Sequence, residues 1–236
     1  MFNPEELARF TLAKLEAYTD PPRVKWAKGN YPTRARVLGV KAGDLHKVDR
    51  EISKMLVTAA PEHVINISQS LVDLYVLECQ QVAYEVLSSH HAAMSVIREK
   101  HLLTLGVHLD NWVSTDYFAG LVAGPAWRDR QVPNRLVLDW VQSPDRWYRR
   151  TAVVCTVALN QKARGGRGDP SRTLEICEYA AADQDDMVSK ALSWALRELA
   201  KRDPGPVVEF INENQDVLAP RVTREVKRKL TSGKKY

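Results

Sequence analysis

No run of about 18 apolar residues occurs in this sequence, so nothing in it is long enough to cross a bilayer as a helix. The longest apolar stretch, Ala152 to Leu159, is interrupted by Thr156 and has the length of a core helix. The start of the chain, Met1-Phe2-Asn3-Pro4-Glu5-Glu6, has no basic region followed by an apolar one and does not read as a signal peptide. Cysteine is scarce. Cys79, Cys155 and Cys177 are odd in number and far apart, and no C-x-x-C occurs. That argues against a disulfide framework or a zinc ribbon and fits a reducing compartment, so a cytoplasmic protein is expected. His90-His91 and His101 lack the H-x-x-x-H spacing that lets one helix offer two ligands to a metal, so neither metal nor cofactor is expected. No stretch alternates in the two-residue period of a strand. A strict repeat period is also missing, as is any defensible domain boundary, so one continuous domain over residues 1–236 is expected.

What remains is helical. The chain is 44% hydrophobic and 27% charged, ordinary for a globular protein, and its 236 residues can bury a core without staples. A net charge of +5 permits nucleic acid as a partner without proving it. Residues 3 to 18 read as a first helix, with Asn3 as its cap and Pro4 in its first turn, stopped by Asp20-Pro21-Pro22. Arg23 to Arg36 interleaves Arg23, Lys25, Lys28, Arg34 and Arg36 with Trp26 and Tyr31. This is either a phosphate-contacting and stacking segment or a solvated arm. Asp44 is expected to cap a helix through Leu45, Val48, Ile52 and Leu56. Pro61-Glu62 opens another, and a longer helix is expected from about Gln69 to Ser88, with Leu71, Leu74, Tyr75, Glu78, Val82, Ala83 and Val86 at helical spacing. Gly124-Pro125 reads as a break, and Val132 to Val141 as a short amphipathic helix. Ser143-Pro144-Asp145 reads as the cap and first turn of a helix running to Leu159. Lys162 to Arg172 is a Gly/Arg/Lys loop that could brush a phosphate backbone or simply be a flexible surface segment. Helices follow from Asp186 to Lys201, after Asp203-Pro204-Gly205-Pro206, and at the C-terminus. The last carries Arg221, Arg224, Lys227, Arg228, Lys229, Lys234 and Lys235 against the single Glu225. A chain of this kind reads as an all-α protein, an α-solenoid rather than a four-helix bundle.

Three stretches carry more chemistry than packing requires. In Trp112-Val113-Ser114-Thr115-Asp116 the indole and the carboxylate lie one turn apart, on the face opposite Tyr117, Phe118 and Leu121. A neighbouring helix packing on Trp112 would be the bland explanation. Arg149-Arg150 open an otherwise apolar helix, where guanidinium groups need partners; Asp145 would be a structural one and a phosphate a functional one. On the Asp186 helix, Met187, Val188, Ala191, Leu192, Ala195, Leu196 and Leu199 make the apolar face. Trp194 falls outside it, among Lys190, Arg197 and Lys201, which suits a ligand that is anionic at one point and stackable at another.

Taken together, Leu38-Gly39-Val40, Asp110-Asn111-Trp112 with Asp116, Trp147-Tyr148-Arg149-Arg150, Lys190 to Glu198 and Thr223-Arg224-Glu225 resemble the AlkD family of DNA alkylation repair glycosylases. The likeness runs over almost the whole chain in the right order. It implies a superhelix of degenerate HEAT-like (armadillo-type) repeats with a concave DNA-binding cleft. It also implies a catalytic set of Asp116, Trp112 and Trp194, with Arg150 at the cleft and Tyr31 close to DNA. Arg149, Lys190 and Arg197 are the further DNA-binding candidates. Where the family often has an acid directly after the first tryptophan, this chain has Val113, and its loop after Gln161 is longer.

A purine alkylated at N3 or N7 is cationic and already a good leaving group, so one carboxylate could suffice where glycosidases normally need two. The resemblance implies that Asp116 stabilises the oxocarbenium charge on deoxyribose and positions water, with Trp112 and Trp194 against the damaged nucleotide. It implies that Arg150 holds a phosphate. The expected protein is a monomeric DNA-alkylpurine N-glycosylase without lyase activity, acting on double-stranded DNA, away from membranes and nucleoid-associated if bacterial. Two other readings stay open: a non-catalytic family member binding bent or branched DNA, and a helical-repeat scaffold for proteins.

Overall fold

The computed structural model describes residues 3–233, together with every side chain in that span except that of Lys28. Met1, Phe2 and the tail lysines Lys234 and Lys235 lie outside the described residues. Two compact units divide the chain near Val122.

In the first unit the helices are α1 (Pro4–Glu16), α2 (Pro21–Asn30), α3 (Ala42–Leu56), α4 (Pro61–Asp73), α5 (Leu77–Ser89), α6 (His91–Ser95), α7 (Glu99–Leu105) and α8 (Trp112–Phe118). Helix α5 is the centre and packs against α1, α3, α4, α6 and α8. Its Cys79, Val82, Ala83, Tyr84, Val86 and Leu87 are fully buried, and Tyr84 donates its hydroxyl proton to the Leu105 carbonyl at 2.8 Å. Asn3 caps α1 as expected, accepting from the Glu5 and Glu6 amides.

Several local expectations are corrected here. Pro21 and Pro22 do not only end α1. They open α2, capped by Asp20, because proline at the first helical positions loses no hydrogen bond. Asp44 does not cap α3: Lys41 occupies the cap position, and Asp44 sits in the first turn, paired with Lys47 at 2.7 Å. The helix expected from Gln69 to Ser88 is two helices. Tyr75 turns the chain with φ of 51°, a left-handed conformation uncommon for an aromatic residue. The adjoining residue, Val76, bridges to Arg36. His90 and His101 serve the backbone, each accepting an amide N–H through Nδ1 at the start of a short helix.

Gly124-Pro125 is no break either. Helix α8 runs into a π-helical turn, Ala119–Ala123, and then directly into α9 (Gly124–Arg128). In α-geometry the Pro125 ring would meet the carbonyl four residues back, and the widened turn relieves that clash. It also breaks the 100° spacing on which the face containing Leu121 was reckoned. Phe118 is fully buried and Leu121 only half-buried.

The second unit contains α9, α10 (Asn134–Val141), α11 (Arg146–Asn160), a 3₁₀ turn (Lys162–Arg164), α12 (Pro170–Ala180), α13 (Asp186–Ala200), α14 (Pro204–Glu213) and α15 (Pro220–Ser232). Helices α11 and α13 form its central pair. α9, α10 and α12 also pack on α11, and α12, α14 and α15 on α13. Thr151 to Asn160 are all buried, as an apolar helix covered on every side requires. The cap of α11 is Asp145, which accepts from the Trp147 amide at 2.8 Å. The expected start at Ser143 is therefore two residues early.

The Gly/Arg/Lys loop is held, not flexible. Arg202 donates to the carbonyls of Asn160 at 2.7 Å and Gly166 at 2.6 Å, and Arg128 donates to that of Arg164. Gly166 packs so tightly that a Cβ there would lie 2.6 Å from the Gln161 nitrogen.

The architecture is all-helical, an α-solenoid of degenerate repeats with no β-strand among the described residues. No described helix is long and apolar enough to cross a membrane. All three cysteines are buried and none forms a disulfide, and burial pushes the Cys79 thiol up to about 12 and the other two higher still.

Candidate functional site

The candidate residues fall into two groups, one in each unit. In the first unit everything is organised around the start of α8. Asn111 caps that helix, accepting from the Ser114 amide at 3.0 Å. The preceding residue, Asp110, is a hub. Its carboxylate accepts from the Arg34 amide at 2.7 Å, the Tyr75 hydroxyl at 2.7 Å, the Asn111 side-chain amide at 3.0 Å and the Thr33 hydroxyl. Burial alone would raise its pKa, but these donors outweigh burial and hold it below the usual carboxylate range. The hub ties segment 33–34, the turn at Tyr75 and the first turn of α8 together.

Tyr31, at the end of α2, is thereby set against Trp112. The rings meet edge to face at 5.9 Å and 87°, and Trp26 closes on the other side of Tyr31 at 5.9 Å and 77°. Burial, then the nearby Glu78 charge, raises the Tyr31 phenol, so it stays protonated at neutral pH. Trp112 remains 38% exposed although the Tyr31 ring packs against it, and Asp116, one turn along, is half-buried.

A second buried carboxylate supports this group. Glu78 accepts from the backbone amides of Leu38 at 3.0 Å, Gly39 at 2.7 Å and Val40 at 3.3 Å. Gly39 has φ of 73°, and a Cβ there would lie 2.7 Å from the Asp20 carbonyl oxygen and 2.8 Å from the Val24 nitrogen. Only glycine lets the chain fold back over the start of α2. Between these parts opens a hollow of about 130 Å³ lined by Arg23, Trp26, Tyr31, Glu78, Val113 and Tyr117. Val113 shares this hollow with the charged Arg23 and Glu78 as well as with the aromatic rings.

In the second unit the cations on α11, α13 and α15 are threaded with carboxylates. Arg149 donates to Asp183 at 2.7 Å and to the Ser143 and Pro144 carbonyls, so its structural partner is Asp183 and not Asp145. Arg150 is buried and donates to the Met187 carbonyl at the start of α13. Lys190 pairs with Asp186 at 2.6 Å, and Arg221 approaches both Asp186 at 3.6 Å and Glu225 at 3.5 Å. Arg197 lies 3.8 Å from Glu225, which also accepts from the Ser193 hydroxyl at 2.7 Å. The hydrogen bond from Lys190, then the charges of Lys190, Arg221 and Arg150, lower the Asp186 pKa against its partial burial. Trp194 is half-buried on the same helix, outside the buried stripe of Val188, Ala191, Leu192, Ala195, Leu196 and Leu199.

The first unit therefore brings Tyr31, Trp112 and Asp116 into one neighbourhood. In the second, Arg150 and Lys190 lie at the first turns of α13, and Arg197 lies in its last turn. Sequence reasoning missed Asp110, Glu78, Asp186 and Arg221 as members of these groups. Glu78 did leave a signal, a glutamate in an otherwise apolar helical stripe, which demands buried donors. Among the described residues no group of three His, Cys, Asp or Glu side chains is placed to hold a metal ion.

An all-helical repeat protein with a supported aromatic–carboxylate pair in one unit and a carboxylate-threaded basic cluster in the other is the class so defined. The comparisons sharpen it. The family model for DNA alkylation repair enzymes matches residues 11–230, across both units, and the chain belongs to that family. Its fold is shared with a solved structure described as a predicted DNA alkylation repair enzyme from Enterococcus faecalis. That match has a TM-score of 0.71 and 16% identity, over 91% of this chain and 97% of that one. No curated protein matches the chain in sequence.

Proposed function

We infer that this member of the family is a DNA glycosylase that hydrolyses the N-glycosidic bond of cationic N3- or N7-alkylated purines in duplex DNA. The observation that carries the reading is the Trp112–Asp116 pair. A large indole is kept 38% exposed by aromatic and hydrogen-bonded supports, with a carboxylate one turn along the helix. Holding so much apolar surface toward solvent costs folding energy unless a ligand covers it.

In this mechanism the alkylated base departs as a neutral leaving group, so no general acid is needed. Asp116 stabilises the positive charge that develops at the sugar and orients the attacking water. Trp112 offers its π face to the same cationic centre. Arg150, Arg149, Lys190 and Arg197 contact phosphates, the last three exchanging intramolecular carboxylates for phosphate oxygens, and Trp194 packs on the DNA from the same helix. The enzyme works as a monomer, without a cofactor and without lyase chemistry.

The test is incubation with a duplex carrying one N7-methylguanine, following free base and abasic sites. Release of 7-methylguanine, with uracil from a matched duplex released at least a hundredfold more slowly, is the expected result. Comparable rates for the two bases would overturn the mechanism, because uracil is a far poorer leaving group. Tight duplex binding with no release of either base would instead support a binding module.

A further inference from the structure

A second hollow in the first unit lies away from α8 and takes no part in the reading above. It has a volume of about 570 Å³, within the range of small-molecule sites, and lies where the C-terminal end of α3 meets the ends of α5 and α6. Its floor is apolar, from Leu56, Val57, Val86 and Ala92, and Val57 is 71% exposed. Its rim is cationic and hydroxylic. Arg50 and Lys54 stand one turn apart on α3, with His91 and the facing Ser53 and Ser89 hydroxyls, which lie 3.2 Å from each other.

No carboxylate lines this hollow. Lys54 has no ion-pair partner among the described residues, and the Arg50 guanidinium makes its hydrogen bond through Nε to the His46 carbonyl at 3.1 Å. Of the acids of α3 that flank Arg50, Glu51 pairs with Lys14 at 2.9 Å and Asp49 accepts from the Ser53 hydroxyl at 3.4 Å. A smaller hollow of about 280 Å³, lined by Lys47, Arg50, Glu51 and Lys54, shares these two cations.

His90 lines the same hollow, and its Nδ1 is committed to the Ala93 amide at 3.0 Å.

We propose that this hollow is a binding site for a small amphipathic organic anion, with an apolar or aromatic body on the Leu56–Val57–Ala92 floor and an anionic head at Arg50 and Lys54. The size of the hollow sets the body, and the unpaired cations set the charge.

The probe is 1-naphthoate, titrated into the full chain while the side-chain resonances of Val57, His90, His91 and Ala92 are followed by NMR, with 1-naphthalenemethanol as its neutral counterpart. Saturable shifts confined to these residues are expected, with naphthoate at least tenfold tighter than the alcohol. Lys54→Glu should weaken naphthoate at least tenfold and leave the alcohol unchanged, and Ala92→Trp should block both. Both substitutions are at surface positions, and unchanged thermal unfolding is the control for folding. Equal affinity for acid and alcohol, or no saturation at millimolar probe, overturns the proposal. So does a loss of duplex-DNA affinity in Lys54→Glu as large as that in Lys190→Ala, which would assign these cations to a nucleic-acid surface.

Discussion

At the start of α8, Asp110 and Glu78 are satisfied by backbone amides and hydroxyls, donors that cannot leave. Around α13, Arg149, Lys190, Arg197 and Arg221 are satisfied by Asp183, Asp186 and Glu225, side chains whose place a phosphate can take. The first arrangement fixes geometry: two carboxylates hold an aromatic pair and the carboxylate beside it in one disposition. The second stores positive charge in exchangeable form. Chemistry demands the former, because a small displacement of a catalytic group is costly. Affinity for a polyanion needs only the latter. A charged residue near a candidate site is thus read through its partners: a carboxylate held by amides positions, and a cation held by carboxylates binds.

The comparison breaks most directly at Asp116. Asp116→Asn should lower the single-turnover rate of 7-methylguanine release by about a hundredfold or more while leaving duplex affinity within a few-fold, a loss typical for one electrostatic group at a transition state. A rate unchanged by that substitution would remove the first unit from the chemistry.

Next in size is the hub. Asp110→Ala should cost about 3 kcal/mol in urea denaturation at neutral pH, since it strips an acceptor from four donors. The pH dependence has a definite sign. The folded-state pKa of Asp110 lies below the unfolded value of about 3.9, so its stabilisation is complete above that value and is lost as pH falls through the folded one. The gap between wild type and Asp110→Asn should therefore shrink only at acid pH. A gap constant down to pH 2 would deny the carboxylate its role.

Gly39→Ala tests the second support. The left-handed backbone and the 2.7 Å approach to the Asp20 carbonyl should together cost about 2–3 kcal/mol in the same assay. The smallest effects belong to the second unit. Lys190→Ala should weaken duplex binding several-fold for any sequence and reduce the slope of log affinity against log salt by about one. Asp186→Asn should tighten binding two- to five-fold, because the cations it now neutralises become available. Weaker binding on removing Asp186 would mean that it orients Lys190 and Arg221 rather than competing for them.

Much of the helical architecture was legible because periodicity is a local property. Leu45, Val48, Ile52 and Leu56 are buried as their spacing predicts, Trp194 lies outside the buried stripe of its helix, and Asn3 caps where a cap was read. The arginine pair was also seen to need partners. Which partners was not legible, for Asp183 lies 34 residues from Arg149 while Asp145 lies four away. The break at Tyr75 was hidden for a similar reason. Its residues carry a good helical pattern, and the turn is stabilised by a bridge to Arg36 and a hydrogen bond to Asp110, contacts that no local window contains.

The Trp112–Asp116 spacing follows from the order of residues alone, since one turn of helix brings i and i+4 together. That Tyr31 buttresses the indole, and that Asp110 and Glu78 hold the two segments in place, was decided only on folding. Those contacts join residues up to 81 positions apart in the chain, and loop closure, not local propensity, determines which of them meet.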